Sequence, residues 1–584
     1  MSNPAIDPIL ASVLQRRLRS VTEEMALTLL HTTRSPILSE GRDFATGVYW
    51  ANGDMLEQTE YTALLGFALQ PSLKACIEYF DGDIKPGDVI FHNDVYRAGN
   101  QINDLGVFKP IFHEGELVAW TACKAHQADL GGGAPGGYNP EATEVWHEGL
   151  RVPPLKMWDA GKLRQDVWDF LFANTRLDIV AEDARACVGS CNVGERRVLE
   201  VLDRHGREIF DSHMVYIMDG AERIMRSEVA AMPDGEYRGE SFLANDGHQE
   251  GVRHPVICTI TIKGDEILFD YTGSAGPTPG YANAPLHAAT SGLMIAILMN
   301  VDPQIPHNAG ILRPLEMIFP ENSMLNAEFP RATSYGNHLT HKIWEAAVKA
   351  LSQAIPHRVT AGWNKCYWGM SSGFDERSRR RFVDFFLFAM KGGSGATEGL
   401  DGLAHLGTVM TGGAMTAQDP EMHEVQTPHR LHHFEFETDS AGPGRWRGGL
   451  GIRSRWSLLA KDAKVIMFGQ QTEPGEEPFG LFGGKPAGLN TAKLTYPGGR
   501  KREFKGHEIV NGVQGAEIEM TASGGGGMGD PKLRPAEIVR EEVRDEIVSI
   551  ESARRDYGVA LDPETLEINE AETERLRKNS ENPV

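Results

Sequence analysis

Residues 117–140 read LVAWTACKAHQADLGGGAPGGYNP. The apolar run Leu117 to Lys124 predicts a β-strand. It delivers Lys124, His126, Gln127 and Asp129 to its end and then enters a loop with five glycines and two prolines. Toward the N-terminus, Arg42 to Lys124 is a series of short apolar runs broken by Gly, Asp and Asn. Gly47 to Trp50 precedes Asn52-Gly53, a hairpin signal. Val89 to Phe91 follows Pro86-Gly87-Asp88. Asp7 to Thr32 predicts an amphipathic helix, with Ile9, Leu10, Val13, Leu14, Leu18, Val21, Met25 and Leu29 at helical spacing and Asp7-Pro8 as its cap.

Toward the C-terminus, Asp166 to Ala231 predicts mostly helix. Gly235–Ala244, Val256–Lys263 and Glu266–Tyr271 predict strands, and Leu286–Met299 and Leu339–Ala354 predict helices. Gly392–Gly413 is glycine-rich and too long for a turn, which predicts a functional or interface loop. Leu431–Glu437, Val465–Phe468 and Thr491–Tyr496 predict strands, Pro535–Arg555 a helix, and Glu564–Val584 a frayed charged tail. Strands and helices mix without strict βαβ alternation, so the fold class is α+β. The expected regions are an N-terminal α+β part (1–160) with the candidate metal site, a helical and mixed part (161–430), a β-rich part (431–562) and the tail (563–584).

The 584 residues carry 58 Lys+Arg against 81 Asp+Glu, a net charge of −23, and are 41% hydrophobic. That is a globular composition, not a fibre, a disordered chain or a disulfide scaffold. The acidic balance argues against a non-specific nucleic-acid binder. The longest apolar candidate, Ser291 to Val301, is too short to span a membrane, and MSNPAIDPIL lacks the features of a signal peptide. The six cysteines form no CxxC, and Cys187 and Cys191 predict a packed pair; reduced thiols and a cytoplasmic location are expected.

Two polar loops lie at neighbouring strand ends: Asn100-Gln101-Ile102-Asn103-Asp104, and Lys124 to Gly131. Pairing of the strands before them would bring Gln101, Asp104 and His126 together, and Glu40-Gly41-Arg42-Asp43 can add a carboxylate. Such a mixed nitrogen and oxygen set suits a divalent cation. Ordinary turn-capping residues are the competing reading. His92-Asn93-Asp94 and His147 can line the same cleft or serve as plain loop residues. His429, His432 and His433 predict a solvated strand end, and Gly336-Asn337-His338 a helix start that either binds an anion or is a plain cap. No GxxxxGK[ST] occurs. Gly524–Gly529 matches GxGxxG, but Asp530-Pro531 follows where a helix should open. Gly444–Gly449 reads as a tight strand junction, and Gly369-Met370-Ser371-Ser372-Gly373 as a chance GxSxG.

Taken in order, several segments resemble one family. They are Glu40–Phe44, Gly87–Asp94, Ala125–Gly132, Glu148–Pro154, Gly444–Gly449, Gly524–Pro531 and Ala553–Val559. The chain resembles the B-type component of the ATP-dependent hydantoinase/oxoprolinase group, which includes acetone and acetophenone carboxylase subunits. The resemblance implies a large multi-domain fold of the hydantoinase B type. It implies an A-type partner that binds ATP and magnesium and phosphorylates a carbonyl, with this chain accepting the activated species in a hetero-oligomer. It carries metal ligands onto Asp43 (Glu40 is the rival), Gln101, Asp104 and His126. Gln101 stands where the family has His, and Gln127 where a second His is usual. The altered set fits manganese or magnesium better than zinc. Asp129 or Asp94 is the expected general base. The implied reaction is ring opening of a cyclic amide (a hydantoin, lactam or oxoproline); the alternative is carboxylation of a ketone with bicarbonate. A non-catalytic scaffold for the ATPase is the reading from outside enzymology.

Overall fold

The structure is a computed structural model that describes residues 6–249 and 251–578. Helix α1 (Pro8–Thr32) begins where the sequence predicts, with Asp7 accepting a hydrogen bond from the Ile9 amide. Its Leu14, Leu18, Val21, Met25 and Leu29 are buried, while Ile9 and Val13 face outward. A four-residue turn, α2 (Pro36–Ser39), leads into the first sheet.

Seven strands build that sheet: β1 (Phe44–Trp50), β2 (Met55–Glu60), β3 (Val89–His92), β4 (Asp104–His113), β5 (Glu116–His126), β6 (Leu155–Asp159) and β7 (Lys162–Leu163). Their spatial order is β2-β1-β5-β4-β3-β6-β7, all antiparallel. Helix α3 (Ala63–Phe80) joins β2 to β3, and α4 (Gln165–Phe172), α5 (Ile179–His205) and α6 (Arg207–Ala230) follow β7. Apolar side chains of α1, α5 and α6 pack with Val48, Leu56, Ile111 and Val118. Those of α3 pack with Phe44, Tyr49 and Trp120. Cover on both faces explains why Val118 to His126 is buried without alternation.

The second sheet holds β8 (Gly235–Leu243), β9 (His254–Lys263), β10 (Glu266–Asp270) and β11 (Leu315–Ile318), with α7 (Leu286–Leu298) before β11 and α8 (Thr340–Ala354) after it. The chain then runs through β12 (Tyr367–Asp375), β13 (Arg380–Phe385), α9 (Pro420–Gln426), β14 (His429–Phe436), β15 (Ile452–Leu458), β16 (Lys461–Gly469), β17 (Thr491–Thr495), β18 (Lys501–Glu503), β19 (Glu508–Asn511) and β20 (Glu517–Ala522). These strands form two antiparallel sheets, β13-β12-β16-β19 and β14-β15-β20-β17-β18. The period of two divides the β12–β16 sheet cleanly. Tyr367, Val465 and Met467 pack toward the last sheet, whereas Trp368, Met370, Phe385 and Phe468 join the core of the first. The fold is α+β, as the mixed pattern predicts.

Two expectations change. Pro535–Arg555 is two helices, α10 (Ala536–Arg544) and α11 (Ile550–Arg555), and the charged tail forms α12 (Glu570–Lys578). That helix is docked rather than frayed: Thr573 is buried and Glu572 pairs with Arg554 and Arg575. Residues 579–584 of the tail, and 1–5 at the start, lie outside the described residues. The start of the glycine-rich 392–413 stretch, expected to be a functional or interface loop, is packed inside. Gly392–Gly395, Gly448–Gly451 and Gly524–Gly527 lie backbone against backbone, so that a Cβ at Gly448 would sit 1.9 Å from the Gly525 carbonyl oxygen. Gly529 then leads through a 3₁₀ turn, Pro531–Leu533, instead of a nucleotide-binding helix. Ser371 lies within β12, not on a nucleophile elbow. Among the described residues no helix is long and apolar enough to cross a membrane.

The glycine contacts carry a direct consequence. Gly448→Ala should lose about 3 kcal/mol or more in denaturant unfolding, because rigid backbone leaves no room to relax. Gly189→Ala, at a helical position in α5 with nothing within 4 Å of the added carbon, should be neutral or stabilising by under about 1 kcal/mol. Equal effects at the two positions would contradict this packing.

Candidate active site

The antiparallel register of β4 and β5 sets Asp104 directly opposite His126. The strand that pairs with β5 is therefore the one that starts at Asp104; β3, which precedes the Asn100–Asp104 loop, pairs on the far side of β4. On the other flank of β5, Phe44 pairs with Ala125, and the His126 amide donates to the Asp43 carbonyl at 3.0 Å. Three strand ends thus present Asp43, Asp104 and His126 at one point. His126 Nδ1 lies 2.8 Å from Asp104 Oδ1 and 3.9 Å from Asp43 Oδ2. Within the Glu40–Asp43 stretch, the carboxylate that meets His126 is Asp43's.

Gln101 closes the group through a residue far away in sequence. Its Oε1 accepts from Asn337 Nδ2 at 2.7 Å, and the same Asn337 nitrogen donates to Asp104 Oδ2 at 2.8 Å. Gln101 Nε2 donates to the Ser334 carbonyl. Asn100 also donates to Asp104 Oδ2, and its own Oδ1 accepts from Lys124 Nζ at 3.0 Å. All these side chains are buried.

Burial lifts the Asp43 carboxyl to about 6 against the pull of His126, and the Asp104 charge adds to the lift. Burial alone would lower His126, but its hydrogen bond to Asp104 and the charges of Asp104 and Asp43 leave it raised. Burial pushes the Lys124 ammonium down to about 8 despite Asp104. Two buried carboxylates beside an imidazole, with an amide oxygen at Gln101, are donors of the type that holds a divalent cation.

A group of packed aromatic side chains adjoins the cluster. Tyr138, carried by the glycine loop, lies 6.2 Å from His126 between ring centres and stacks on Phe468 at 4.2 Å. Phe385 stands 5.8 Å from His126. His338 lies 5.3 Å from Tyr138 and 5.0 Å from Trp368. It is fully buried, and neither ring nitrogen has a hydrogen-bond partner among the described residues. Burial holds His338 well below the ordinary imidazole range, and the nearby His341, His126 and His507 push the same way. The sequence predicts a helix start at Gly336-Asn337-His338. The segment is a 3₁₀ turn running into α8, and its side chains, Asn337 and His338, are the parts that reach the cluster. Nothing in their spacing from His126 announces this.

Asp129 and Asp94 are not part of the cluster. Asp129 Oδ1 accepts from the Gly131 amide and Oδ2 from the Gly136 amide, both at 2.9 Å, and Arg176 Nη1 pairs with Oδ2 at 3.0 Å. It fixes the loop that carries Tyr138. Asp94 accepts from the Tyr96 amide and lies 3.6 Å from both Arg97 and Arg151. His92 is held by the Val152 and Arg97 carbonyls, and His147 is exposed. His432 and His433 stay partly exposed, whereas His429 is buried.

Glu148 anchors the segment opposite. Its carboxyl oxygens accept from the Thr333 and Ser334 amides at 2.9 and 2.6 Å, and burial raises it to about 7 against those bonds. Between its ordinary value near 4.5 and about 7, the folded chain keeps a proton that the unfolded chain has released. Glu148's contribution to stability is therefore largest below that window and falls as pH rises through it. Glu148→Gln lacks this titration, so the melting-temperature gap between wild type and variant should narrow from pH 4.5 to 7. A constant gap would contradict the assignment.

Residues 7–531 match the family model described as Hydantoinase B/oxoprolinase. The chain is 33% identical to the beta subunit of the caprolactamase of Pseudomonas jessenii over 570 residues, covering 95% of this chain and 97% of that one. It is 27% identical to the B component of a putative D-/L-hydantoinase of Pseudomonas sp. (strain NS671), over 98% of both. The crystal structure of the ATP-dependent caprolactamase from Pseudomonas jessenii superposes with a TM-score of 0.92 at 32% identity, over 98% of this chain and 100% of that chain. This chain belongs to the hydantoinase B/oxoprolinase family.

Proposed function

We propose that this chain is the B-type component of an ATP-dependent cyclic amide hydrolase, which opens a lactam, hydantoin or oxoproline ring after an A-type partner has phosphorylated it. The observation that carries the reading is the buried Asp43–Asp104–His126 group set against packed aromatic side chains. Aromatic side chains beside a polar group suit contact with a ring of methylenes that carries one polar function. The kinship with a caprolactamase over nearly the whole chain supports the same reading.

An unactivated amide resists water because its carbonyl is resonance-stabilised and its nitrogen leaves poorly. Phosphorylation of the imidate oxygen removes that resonance. Water then adds to the ring carbon, the nitrogen takes up a proton, and the C–N bond breaks to leave an acyl phosphate. A second water releases phosphate and the open-chain acid.

His338 is the group placed to manage the proton. Held neutral, it offers one lone pair and one N–H without carrying charge among the aromatic rings. A proton taken from the attacking water is held weakly and passes on readily to the departing nitrogen. Asp129 and Asp94, the bases expected from sequence, hold loops instead. Asp104 orients His126 through Nδ1, and Asn337 fixes both Asp104 and Gln101. By donor chemistry the residues that would hold a divalent ion are Asp43, Asp104 and His126, with the Gln101 amide oxygen as fourth donor, an oxygen-rich set that favours manganese or magnesium over zinc, although in this arrangement the donor atoms of the first three do not all lie within 4.8 Å of one another. An ion held there would supply Lewis-acid stabilisation of developing negative charge. ATP and its magnesium belong to the partner, and the reaction belongs to the cytoplasm, where ATP is supplied.

The test uses the chain purified with its co-expressed partner. ATP-dependent ring opening of a lactam, hydantoin or oxoproline is expected, and His338→Gln should lower kcat by about 10²-fold or more in a complex that still folds and still consumes ATP. Unchanged turnover in that variant would remove His338 from the mechanism. Labelled bicarbonate entering a β-keto acid, with no lactam consumed, would overturn the hydrolase reading in favour of ketone carboxylation.

A further inference from the structure

The β12–β13 pair has a second polar cluster, on the side turned away from the packed aromatic side chains. Ser371 and Asp384 are directly opposite each other across the pair, as are Met370 and Phe385 one residue along. Met370 and Phe385 belong to the core beside His126. Ser371 and Asp384 therefore share the opposite face. There they meet His423, from α9, and His429, the first residue of β14.

His423 Nε2 and His429 Nδ1 lie 2.8 Å apart. Asp384 Oδ2 is 3.7 Å from His429 Nδ1, and Asp384 Oδ1 is 3.8 Å from His423 Nδ1. One ligand atom from each of the three residues falls within 4.8 Å of the other two. The remaining ring nitrogens are held as well: His423 Nδ1 lies 2.7 Å from Gln418 Oε1, and His429 Nε2 lies 2.8 Å from Ser371 Oγ. All five side chains are buried.

A chain of hydrogen bonds running Ser371–His429–His423–Gln418 accounts for the two imidazoles. It does not account for Asp384, whose Oδ2 has no hydrogen-bond partner among the described residues although it is buried. A buried carboxylate without donors is costly, and a cation beside it removes the cost. A cation also explains the outer bonds. A histidine that ligates through one nitrogen donates its other N–H to an oxygen, which fixes ring and tautomer. Gln418 Oε1 and Ser371 Oγ stand where those acceptors belong.

We propose that Asp384, His423 and His429 form a second divalent-metal site, distinct from the Asp43–Asp104–His126 group. Two imidazoles and one carboxylate select zinc or a similar transition ion, in contrast to the oxygen-rich first group. The ion ties α9 and the start of β14 to β13. It thereby fixes the strand whose next residue, Phe385, stands beside His126. This second site stands whether or not the chain opens cyclic amides.

The test is metal content and cobalt binding on the full chain with its partner. After chelation and reloading with zinc, wild type and Asp104→Asn should both retain an equivalent that Asp384→Asn and His423→Gln lack. Ser371→Ala should bind the same equivalent about tenfold more weakly. Cobalt(II) added to the stripped Asp104→Asn chain should give visible d–d absorption, and zinc should raise its melting temperature. If Asp384→Asn takes up as much metal as wild type, or the stripped Asp104→Asn chain shows neither the cobalt band nor the thermal shift, the site does not exist. The cobalt arm decides the matter even where the Asp384 and His423 variants fail to fold.

Discussion

The arrangement depends on one cross-strand pair. β4 and β5 are antiparallel with Asp104 opposite His126, so a single hydrogen bond of 2.8 Å is set by sheet register rather than by a flexible loop. A slip of either strand by one residue would send its own side chain to the other face and break the pair. Apolar cover from α3 on one side and from α1, α5 and α6 on the other makes such a slip expensive. The neighbouring β1 then brings Asp43 to the same point without further machinery. Chemistry placed at the ends of three paired strands inherits the rigidity of the sheet.

Around that pair the chain is organised to deliver distant residues. Glu148 holds 333–334, the 3₁₀ turn that follows carries Asn337 and His338, and Asn337 bridges Asp104 and Gln101. Asp129 and Arg176 shape the glycine loop so that Tyr138 faces His126. Phe385 and Phe468 arrive from another sheet. The glycine runs serve the same end at larger scale. Their missing side chains let 392–395, 448–451 and 524–527 stack directly, which joins the last two sheets to the segments beneath them.

Much of the local structure is legible in the sequence, because amphipathic period, caps and hairpin turns are local signals. The Asp7-Pro8 cap and the Asn52-Gly53 hairpin are examples. The convergence of Gln101, Asp104 and His126 is legible as well, since neighbouring strands bring nearby loops together. Asn337 and His338 are not, because a contact across more than 200 residues leaves no periodicity to read. His429 resembles a solvated strand end because nothing local signals β12 and β13 beneath it. Asp94 and Asp129 carry the right chemistry for a base, but only their hydrogen bonds reveal that loop backbone and arginines already occupy them. At the glycine stretch from 392, composition does not reveal that backbone packs against backbone.

The central claim is that this chain consumes a species activated elsewhere, at the Asp104–His126 pair. Rapid-quench analysis of the Asp104→Asn chain with its partner, ATP and a lactam substrate tests it most directly. The account predicts that ATP is spent and a phosphorylated lactam accumulates, while ring opening slows by about 10²-fold or more. Ring opening at the wild-type rate in a correctly folded Asp104→Asn complex would contradict it.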